Sequence, residues 1–455
     1  MQALISVFID DGDKLKSINA GRTRITFLQR QPLYYACVSS WGEPESVTRS
    51  HLEYLHLQIL SVVTSAQLKR IFERRGNFDL RRLLGGADTF LTTMLSRLQL
   101  DLAMSMSALR CLRLDSGLRN KAAQALVPSG KVSKDILYII LVARGEIITL
   151  IRPKKHSVHP ADVHILLTTL ASPSLSNSPA TAMWVPLCLP KWNDSRMVNA
   201  YVVNMPYVDD ASLSSNAEID SLPTPTSLDN PDDDSDSHTS TETRTQRKDN
   251  VNHNTITLVC ISGGSDFDTV RAWCDDAVEK LSYLPSNSSS SLSSTSSTMT
   301  VTPNTAAPPI PRPPASSSTL HYLHTHLLHS SYTVSELGIP GLRHFVYKAR
   351  GLVQVTFPVW EQGQEKDDSE AEMEEEEGED DERRRIITMY QMVHDAIHAK
   401  GVTGQSKEGL KLQYLRTDKE SVLGWITQPF ELYLTLSRFY PKAPPLVPLM
   451  RWRGG

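Results

Sequence analysis

The order of predicted strands and helices repeats along this chain, and it limits the fold more than any single motif does. From residue 136, two apolar runs meet at Arg144-Gly145, a helix begins after His159-Pro160, and three strands and a closing helix follow. Apolar runs joined by a two-residue turn are typical of an antiparallel hairpin. We therefore predict a unit of strand, strand, helix, three strands and helix.

The same order is found near the end of the chain. Residues 342–348 and 352–357 form a predicted hairpin, and a helical apolar face over residues 386–397 precedes three further predicted strands. Pro441 and the three prolines after it exclude a regular helix interior at the place where the earlier unit closes with a helix. The third unit therefore departs from the pattern at its end.

The first part of the chain fits only the later elements of the unit. Apolar spacing predicts a helix over residues 1–9, followed by three strands and then a long helix from Glu45. The predicted strands are residues 15–20, 23–30 and 32–41. The last of them is almost continuously apolar, as in a strand covered on both faces. The first unit therefore lacks its opening hairpin.

Residues 45–86 close this first unit. The apolar positions of the long helix recur at helical spacing and predict one face that lies on a sheet. They are Leu52, Leu55, Ile59, Val62 and Ala66. A second helical segment ends at Gly76, and Asp79 can cap a short helix that stops at Gly85. The helical pattern over residues 89–126 predicts a connector to the second unit.

Three segments are too poor in apolar side chains to offset chain entropy, and we predict that they are disordered loops. They are residues 209–252, 285–318 and 361–382, rich in Ser, Thr, Pro or acidic residues. The fold class is therefore α/β (α+β) with long disordered loops. The predicted domains are 1–127 (an N-terminally incomplete first domain with the connector), 133–284 (the second domain with an insertion at 209–252), 285–335 (a disordered linker) and 336–455 (the third domain with an acidic insertion at 361–382).

The cysteines and the hydropathy point to a reducing compartment. Five cysteines are scattered without a CxxC pair, which argues against a secreted disulfide framework and a thiolate metal site. No apolar run approaches the roughly 18 residues that a membrane span requires. We therefore expect a cytoplasmic protein whose membrane contact is peripheral.

Acidic charge is concentrated in two of the loops. Residues 209–250 carry 11 acidic and 3 basic side chains, and residues 361–382 carry 14 acidic and 1 basic. The rest of the chain has 26 acidic and 43 basic side chains, a formal charge of +17. A basic body suits an anionic partner such as a lipid headgroup surface, although acidic proteins and nucleic acid fit the same charge.

The sequence offers little for covalent chemistry. Gly263-Gly264-Ser265 could present N–H groups to a phosphate, but no GxxxxGK[ST] or GxGxxG pattern surrounds it, so an ordinary turn is the competing interpretation. No GxSxG motif nominates a nucleophile. Two histidine groups lack metal-ligand spacing: His156, His159 and His164, and His321, His324, His326 and His329. We therefore predict no catalytic residue, no metal and no cofactor.

A basic set near the end of the first unit is more suggestive. It consists of Lys69, Arg70, Arg74, Arg75, Arg81 and Arg82. These side chains could face an anionic membrane at about 1 kcal/mol per charge. Alternatively, Arg81 and Arg82 pair with Asp79 and Glu73, or their stems cover apolar surface.

Four strings make the interpretation more specific. They are NFDLRRLLGG at 77–86, VPLCLPKW at 185–192, GIPGLRHFVYK at 338–348 and LMRW at 449–452. The element order resembles the longin fold, and these strings resemble signature stretches of the vacuolar fusion protein Mon-one family. The resemblance covers almost the whole chain outside the three loops. It implies three longin domains, each a mostly antiparallel five-stranded sheet flanked by helices, the first lacking its opening hairpin.

The resemblance also implies a function and partners. Members of that family pair with a Ccz-one family longin subunit and act as a guanine-nucleotide exchange factor for the late-endosomal and vacuolar Rab GTPase. It implies roles in endosome maturation, vacuole fusion, vesicle-mediated transport, protein transport to the vacuole and autophagy. The implied location is peripheral, on phosphoinositide-containing late-endosomal, multivesicular-body and vacuolar membranes. No nucleic acid partner is implied.

In the family, the first longin domains of the two subunits pair and together hold the GTPase. If this surface is carried over to this chain, the resemblance implies that the candidate GTPase or partner surface is the first predicted helix and the strand after it. Its exposed polar candidates are Ser6, Asp10, Asp11, Lys14, Lys16, Ser17 and Asn19. The family's first domain opens with two strands that this sequence lacks, so we expect an exposed apolar edge along residues 32–41. A non-catalytic longin adaptor or tethering subunit is the alternative function.

Overall fold

The computed structural model describes residues 15–76, 78–128, 134–154, 156–178, 180–206, 255–264, 266–282, 318–327, 331–360, 371–399 and 410–437. The strands are β1 Ser17–Ala20, β2 Thr23–Arg30, β3 Leu33–Ser39, β4 Leu109–Arg110, β5 Ile136–Ala143, β6 Glu146–Ile151, β7 Ala182–Cys188, β8 Met197–Met205, β9 Ile256–Ser262, β10 Leu342–Ala349, β11 Gln354–Thr356, β12 Leu412–Arg416, β13 Glu420–Ile426 and β14 Phe430–Ser437. The α-helices are α1 Glu45–Val62, α2 Ser65–Arg74, α3 Asp88–Leu100, α4 Leu102–Ser105, α5 Ser116–Ala125, α6 Pro160–Ala171, α7 Pro173–Ser176, α8 Pro190–Asn193, α9 Phe267–Ser282, α10 Thr319–Leu327 and α11 Ala371–His398. The predicted helix over 1–9 and the segment from Pro441 lie outside the described residues.

The second domain has the predicted five-stranded sheet, in the order β6-β5-β9-β8-β7, with every pair antiparallel. Arg144 and Gly145 have φ values of 52° and 71°, the left-handed pair that a two-residue hairpin turn requires. Helix α6 packs on one face of the sheet, while α9, α10 and α5 pack on the other. Every residue of β5 is buried because helices cover both faces.

The third domain repeats this order and extends it. Its strands are arranged β12-β13-β14-β10-β11-β4, so the short connector strand β4 is added at the edge. β4 runs parallel to β11, whereas the other neighbours are antiparallel. The sixth strand of the third sheet therefore comes from a segment earlier in the chain.

The first domain has a three-stranded sheet in the order β1-β2-β3. β3 is at the edge, and the side chain of Val38 is 63% exposed, so the prediction that residues 32–41 are covered on both faces was wrong. The apolar run misled because Tyr34 and Val38 point away from α1, while Tyr35 packs toward it. Among the described residues, no strand pairs with the outer edge of β3.

Helix α1 has two buried faces rather than the single face that its spacing predicts. One face contributes Leu52, Ile59 and Leu60 to the core under the first sheet. The other contributes Tyr54 and Leu57 to a cluster with α3, α4 and α6. Helix α1 therefore packs against the first sheet on one face and against helices α3, α4 and α6 on the other, and so connects the first and second domains.

The connector between the first and second domains enters two other cores. Leu102 and Ala103 of α4 pack into the third domain. Leu112 and Ala122 pack into the second domain. The backbone between them crosses from one sheet to the other, because the N–H of Leu109 donates to Val353 at 2.9 Å and that of Leu112 donates to Ile147 at 3.0 Å. The second and third sheets are thereby joined.

Two of the predicted disordered segments contain helices. The linker assigned to residues 285–335 includes α10, whose Leu323 and Leu327 are fully buried in the second domain. The acidic loop assigned to residues 361–382 includes the start of α11 at Ala371. Composition misled in both places, because α10 is stabilised by tertiary packing and glutamate is a good helix former.

Candidate functional site

The start of β1 holds the described part of the predicted partner surface. Lys16 and Asn19 are exposed. The Asn19 side-chain oxygen accepts a hydrogen bond from Arg24 Nε at 3.0 Å. The Ser17 hydroxyl donates to Glu45 Oε2 at 3.1 Å and so ties β1 to the beginning of α1. Lys16 and Asn19 are thus accessible to a partner, whereas Ser17 has a structural contact.

The other predicted partner residues, Ser6, Asp10, Asp11 and Lys14, lie outside the described residues. The structure adds a feature that the sequence analysis missed: the outward face of β3 at Tyr34 and Val38. Tyr34 is 44% exposed. The alternation of larger and smaller exposure along Leu33–Ser39 was hidden because nearly every residue of this strand is apolar.

The basic set is carried by α2 and the 3-10 turn Leu80–Arg82. Both pack on the core of the first domain, through Leu68 of α2 and Leu80 of the turn. A capping box at Thr64 and Gln67 begins α2, an arrangement that stabilises a helix by about 1 kcal/mol. The N–H of Ser65 donates to the Asp194 carbonyl at 2.8 Å, which anchors α2 to the second domain.

We use the name basic face for Lys69, Arg70, Arg74, Arg75, Arg81 and Arg82, all of which are exposed. Arg81 pairs with Asp79 at 2.9 Å, as one of the alternatives predicts, and this hydrogen-bonded contact lowers the pKa of Asp79. Within the described residues, the other five form no ion pair, so the predicted Arg82–Glu73 pair is absent there. The basic face therefore keeps most of its charge available to an anion.

The glycine turn is poorly suited to binding phosphate. The N–H of Gly263 donates to the Asp135 carbonyl at 3.0 Å, and that of Gly264 donates to the Ser262 hydroxyl at 3.1 Å. Both N–H groups already donate hydrogen bonds within the protein, and the side chain of Asp135 lies beside Gly264. The competing interpretation, an ordinary turn between β9 and α9, fits these contacts.

Among the described residues, the predicted histidine groups do not converge on a metal, and His329 lies outside those residues. Nδ1 of His159 caps α6 by accepting from the N–H of Ala161 at 3.1 Å. His164 is buried, with Nε2 2.8 Å from the Ala108 carbonyl, and burial lowers its pKa. Nε2 of His324 lies 3.1 Å from the Met205 carbonyl. These rings have structural contacts with the backbone.

Three of the described thiols are unactivated. Burial raises the pKa of Cys111 to about 11 and that of Cys188 to about 12. It also raises the pKa of Cys37, which lies under the first sheet. Since the thiolate is the nucleophilic form, these three side chains are poor nucleophiles near neutral pH.

Comparison with protein-family models identifies all three domains. The first, second and third longin domains of FUZ, MON1 and HPS1 match residues 1–94, 134–213 and 341–444, respectively. None of the helices among the described residues has the length and apolar character needed to cross a membrane.

Curated relatives share most of this chain. Vacuolar fusion protein MON1 (Mon-one) of Cryptococcus neoformans var. neoformans serotype D is 38% identical over 96% of the chain and 55% of its own length. The protein of the same name from Mycosarcoma maydis is 30% identical, over 96% of the chain and 58% of its own length. Vacuolar fusion protein MON1 homolog A of Homo sapiens is 25% identical over 99% of the chain and 54% of its own length. The chain thus spans little more than half of these relatives.

Proposed function

Since the chain belongs to the MON1 family of longin-domain proteins, we propose that it is one subunit of a heterodimeric guanine-nucleotide exchange factor. Its partner is a longin subunit of the Ccz-one family, and its target is the late-endosomal or vacuolar Rab GTPase. The chain acts in vacuole fusion and membrane trafficking, with endosome maturation and autophagy as the processes that depend on the activated GTPase.

The proposed reaction needs no covalent step by this chain. The heterodimer binds the nucleotide-free GTPase more tightly than the nucleotide-loaded form, so the binding free energy weakens retention of GDP. The coupling is reciprocal, because a bound nucleotide lowers the affinity of the heterodimer for the GTPase by the same factor. GTP, once bound, therefore releases the activated GTPase.

The observation that carries this proposal is an exposed apolar surface on the first sheet. Tyr34 and Val38 of β3 are 44% and 63% exposed, on the face of the sheet that points away from α1. Exposed apolar side chains grouped on one face favour association with another protein. The first domain therefore offers a surface that can receive a partner.

The basic face supports peripheral binding to a late-endosomal or vacuolar membrane. Its side chains lie on α2 and the Leu80–Arg82 turn, close to the first sheet in the fold. Lys or Arg near an anionic surface contributes about 1 kcal/mol per charge, and an anionic phosphoinositide-containing membrane supplies that surface. Membrane binding would concentrate the exchange factor beside a lipid-anchored GTPase.

The test is to co-express the chain with its Ccz-one partner and to follow release of fluorescent GDP from the late-endosomal Rab. Val38→Glu introduces a charge on the outward face of β3. Leu412→Glu is the matched control, because Leu412 is also an exposed apolar residue on an edge strand, in the third domain. We expect Val38→Glu to weaken heterodimer formation and exchange, with little effect of Leu412→Glu.

Two results would decide against the proposal. An intact heterodimer that fails to accelerate GDP release would overturn exchange activity and favour the non-catalytic adaptor or tether. Equal loss of heterodimer in the two variants would show that the first sheet is not the partner surface. Gel filtration of the complexes separates these outcomes before the kinetic assay.

A further inference from the structure

Three side chains with metal-binding atoms meet where the end of α11 lies against β14. They are His394, His398 and Glu431. One candidate ligand atom from each residue lies within 4.8 Å of the others. In the described part of the chain this is the one such group of three, and it is separate from the first domain and the basic face.

The helix and the sheet bring these residues together for simple geometric reasons. His394 and His398 are four residues apart, so both face the same side of α11. Glu431 and Tyr433 are buried on the face of β14 that α11 covers. Gly424 of β13 allows the close approach, because a Cβ there would lie 2.9 Å from Cδ1 of Ile397.

The carboxylate of Glu431 is held in one orientation. Nζ of Lys348 and Nε of Arg350 lie 3.5 and 3.4 Å from Oε1. The Tyr433 hydroxyl donates to Oε2 at 3.0 Å, and Nε2 of His398 lies 3.2 Å from the same oxygen. Oε2 therefore faces the histidines, while Oε1 is engaged by the cations.

Two imidazoles and one carboxylate form a donor set that zinc uses when it keeps a fourth position for water. The side chain of Glu431 is 2% exposed, whereas that of His398 is 35% exposed, so an ion could enter from solvent beside His398. Zn–N and Zn–O bonds of about 2.0–2.2 Å need only a modest approach of these side chains. We propose that His394, His398 and Glu431 form a zinc-binding site in the third domain.

The proposed ion would link the end of α11 to β14. Lys348 and Arg350 have opposing effects, since they orient Glu431 but repel a cation. The effects of these side chains on zinc affinity therefore allow a metal site to be distinguished from a simple His398–Glu431 ion pair. Removing the Lys348 charge should strengthen zinc binding, whereas removing His398 should weaken it.

The experiment uses the full chain in complex with its partner subunit, freed of metal with a chelator and then dialysed. Calorimetric titration with ZnCl2 should show one ion bound per copy of this chain, above any binding by the partner alone. Co2+ should give a visible absorption band, reporting imidazole and carboxylate coordination without using exchange activity. Circular dichroism of each variant verifies that it is folded.

His398→Gln should weaken zinc binding by at least about 100-fold, since loss of a supporting contact alone costs about 10–100-fold. His326→Gln is the matched control, because His326 is exposed on another surface helix, and it should leave affinity unchanged. Lys348→Gln should tighten binding by about tenfold or more.

The absence of zinc binding by the folded complex would overturn the proposal. So would equal affinity of the His398→Gln and unaltered chains, or an equal loss in the His326→Gln control. Tighter binding after Lys348→Gln, together with loss after His398→Gln, would establish the site. This result is independent of exchange activity, since either property can be present without the other.

Discussion

The guanidinium of Arg110 forms an ion pair with Glu146, with Nε 2.9 Å from Oε1. Arg110 belongs to β4 at the edge of the third sheet, and Glu146 begins β6 of the second sheet. The same guanidinium lies over Phe357 of the third domain, with Cζ 4.2 Å from the ring centre. One side chain therefore connects the two sheets at the point where the connector backbone joins them.

Arg110→Ala should weaken the contact between the second and third sheets. Burial raises the pKa of Glu146 and the Arg110 charge lowers it, so loss of Arg110 leaves a partly buried carboxylate without its ion-pair partner. We expect a cost of about 1–3 kcal/mol, measured as faster amide hydrogen exchange in β6 and β11. Glu146→Gln removes the unpaired charge, so adding it to Arg110→Ala should recover part of the loss. Strictly additive effects would argue against the coupling.

Gly424→Ala should destabilise the third domain. The added methyl would lie 2.9 Å from Cδ1 of Ile397 and closer still to Val393, both on α11. Overpacking of this kind costs about 1–3 kcal/mol. Gly351→Ala is the control, because a Cβ there meets nothing within 4 Å. Urea denaturation followed by tryptophan fluorescence should separate the two variants, and equal midpoints would contradict the predicted close packing.

Acidification should destabilise the third domain through His344. This ring is buried and stacked on Trp360 with ring centres 4.0 Å apart, and burial lowers its pKa to about 3. The unfolded chain therefore takes up this proton first as pH falls below about 6.5, and the free energy of unfolding decreases toward pH 3. For this one group the loss is about 1 kcal/mol between pH 7 and 5.5.

His344→Phe retains an aromatic ring but removes the proton-binding group. Its unfolding free energy should fall less steeply between pH 7 and 5.5 than that of the unaltered chain, by about 1 kcal/mol. Above about pH 7.5 the difference in unfolding free energy between the two proteins should be constant. The His344 imidazole is then neutral in both the folded and the unfolded chain. Parallel curves through the acidic range would exclude His344 as a source of acid sensitivity.

Charge removal from the basic face should weaken membrane binding. Arg70→Gln with Arg74→Gln removes two exposed charges from α2, with an expected loss of about 2 kcal/mol on anionic phosphoinositide-containing vesicles at low salt. Arg271→Gln with Lys280→Gln removes two exposed charges from α9, where both form ion pairs with aspartates, and serves as the matched control. Vesicle sedimentation in rising salt is the measurement. Salt-independent binding, or an equal loss in the control, would contradict an electrostatic role.

The sequence by itself determined the type and order of most elements, because their signals are local. The turn at Arg144-Gly145 and the cap at His159 are each specified within a few residues, and their predicted hairpin and helix are present. The predicted three-longin organisation and family are likewise confirmed. The function and the partner surfaces stay predictions, to be tested by the experiments above.

Only the tertiary structure decided which surfaces are covered and which distant residues meet. The apolar run of β3 resembles a buried strand, but Val38 is exposed because its side chain points away from α1. The spacing of His394 and His398 is visible along the helix, whereas the position of Glu431 depends on how α11 packs on β14. Local periodicity specifies the direction of a side chain within its own element, but packing between elements sets its neighbours, and those neighbours determine its exposure and chemistry.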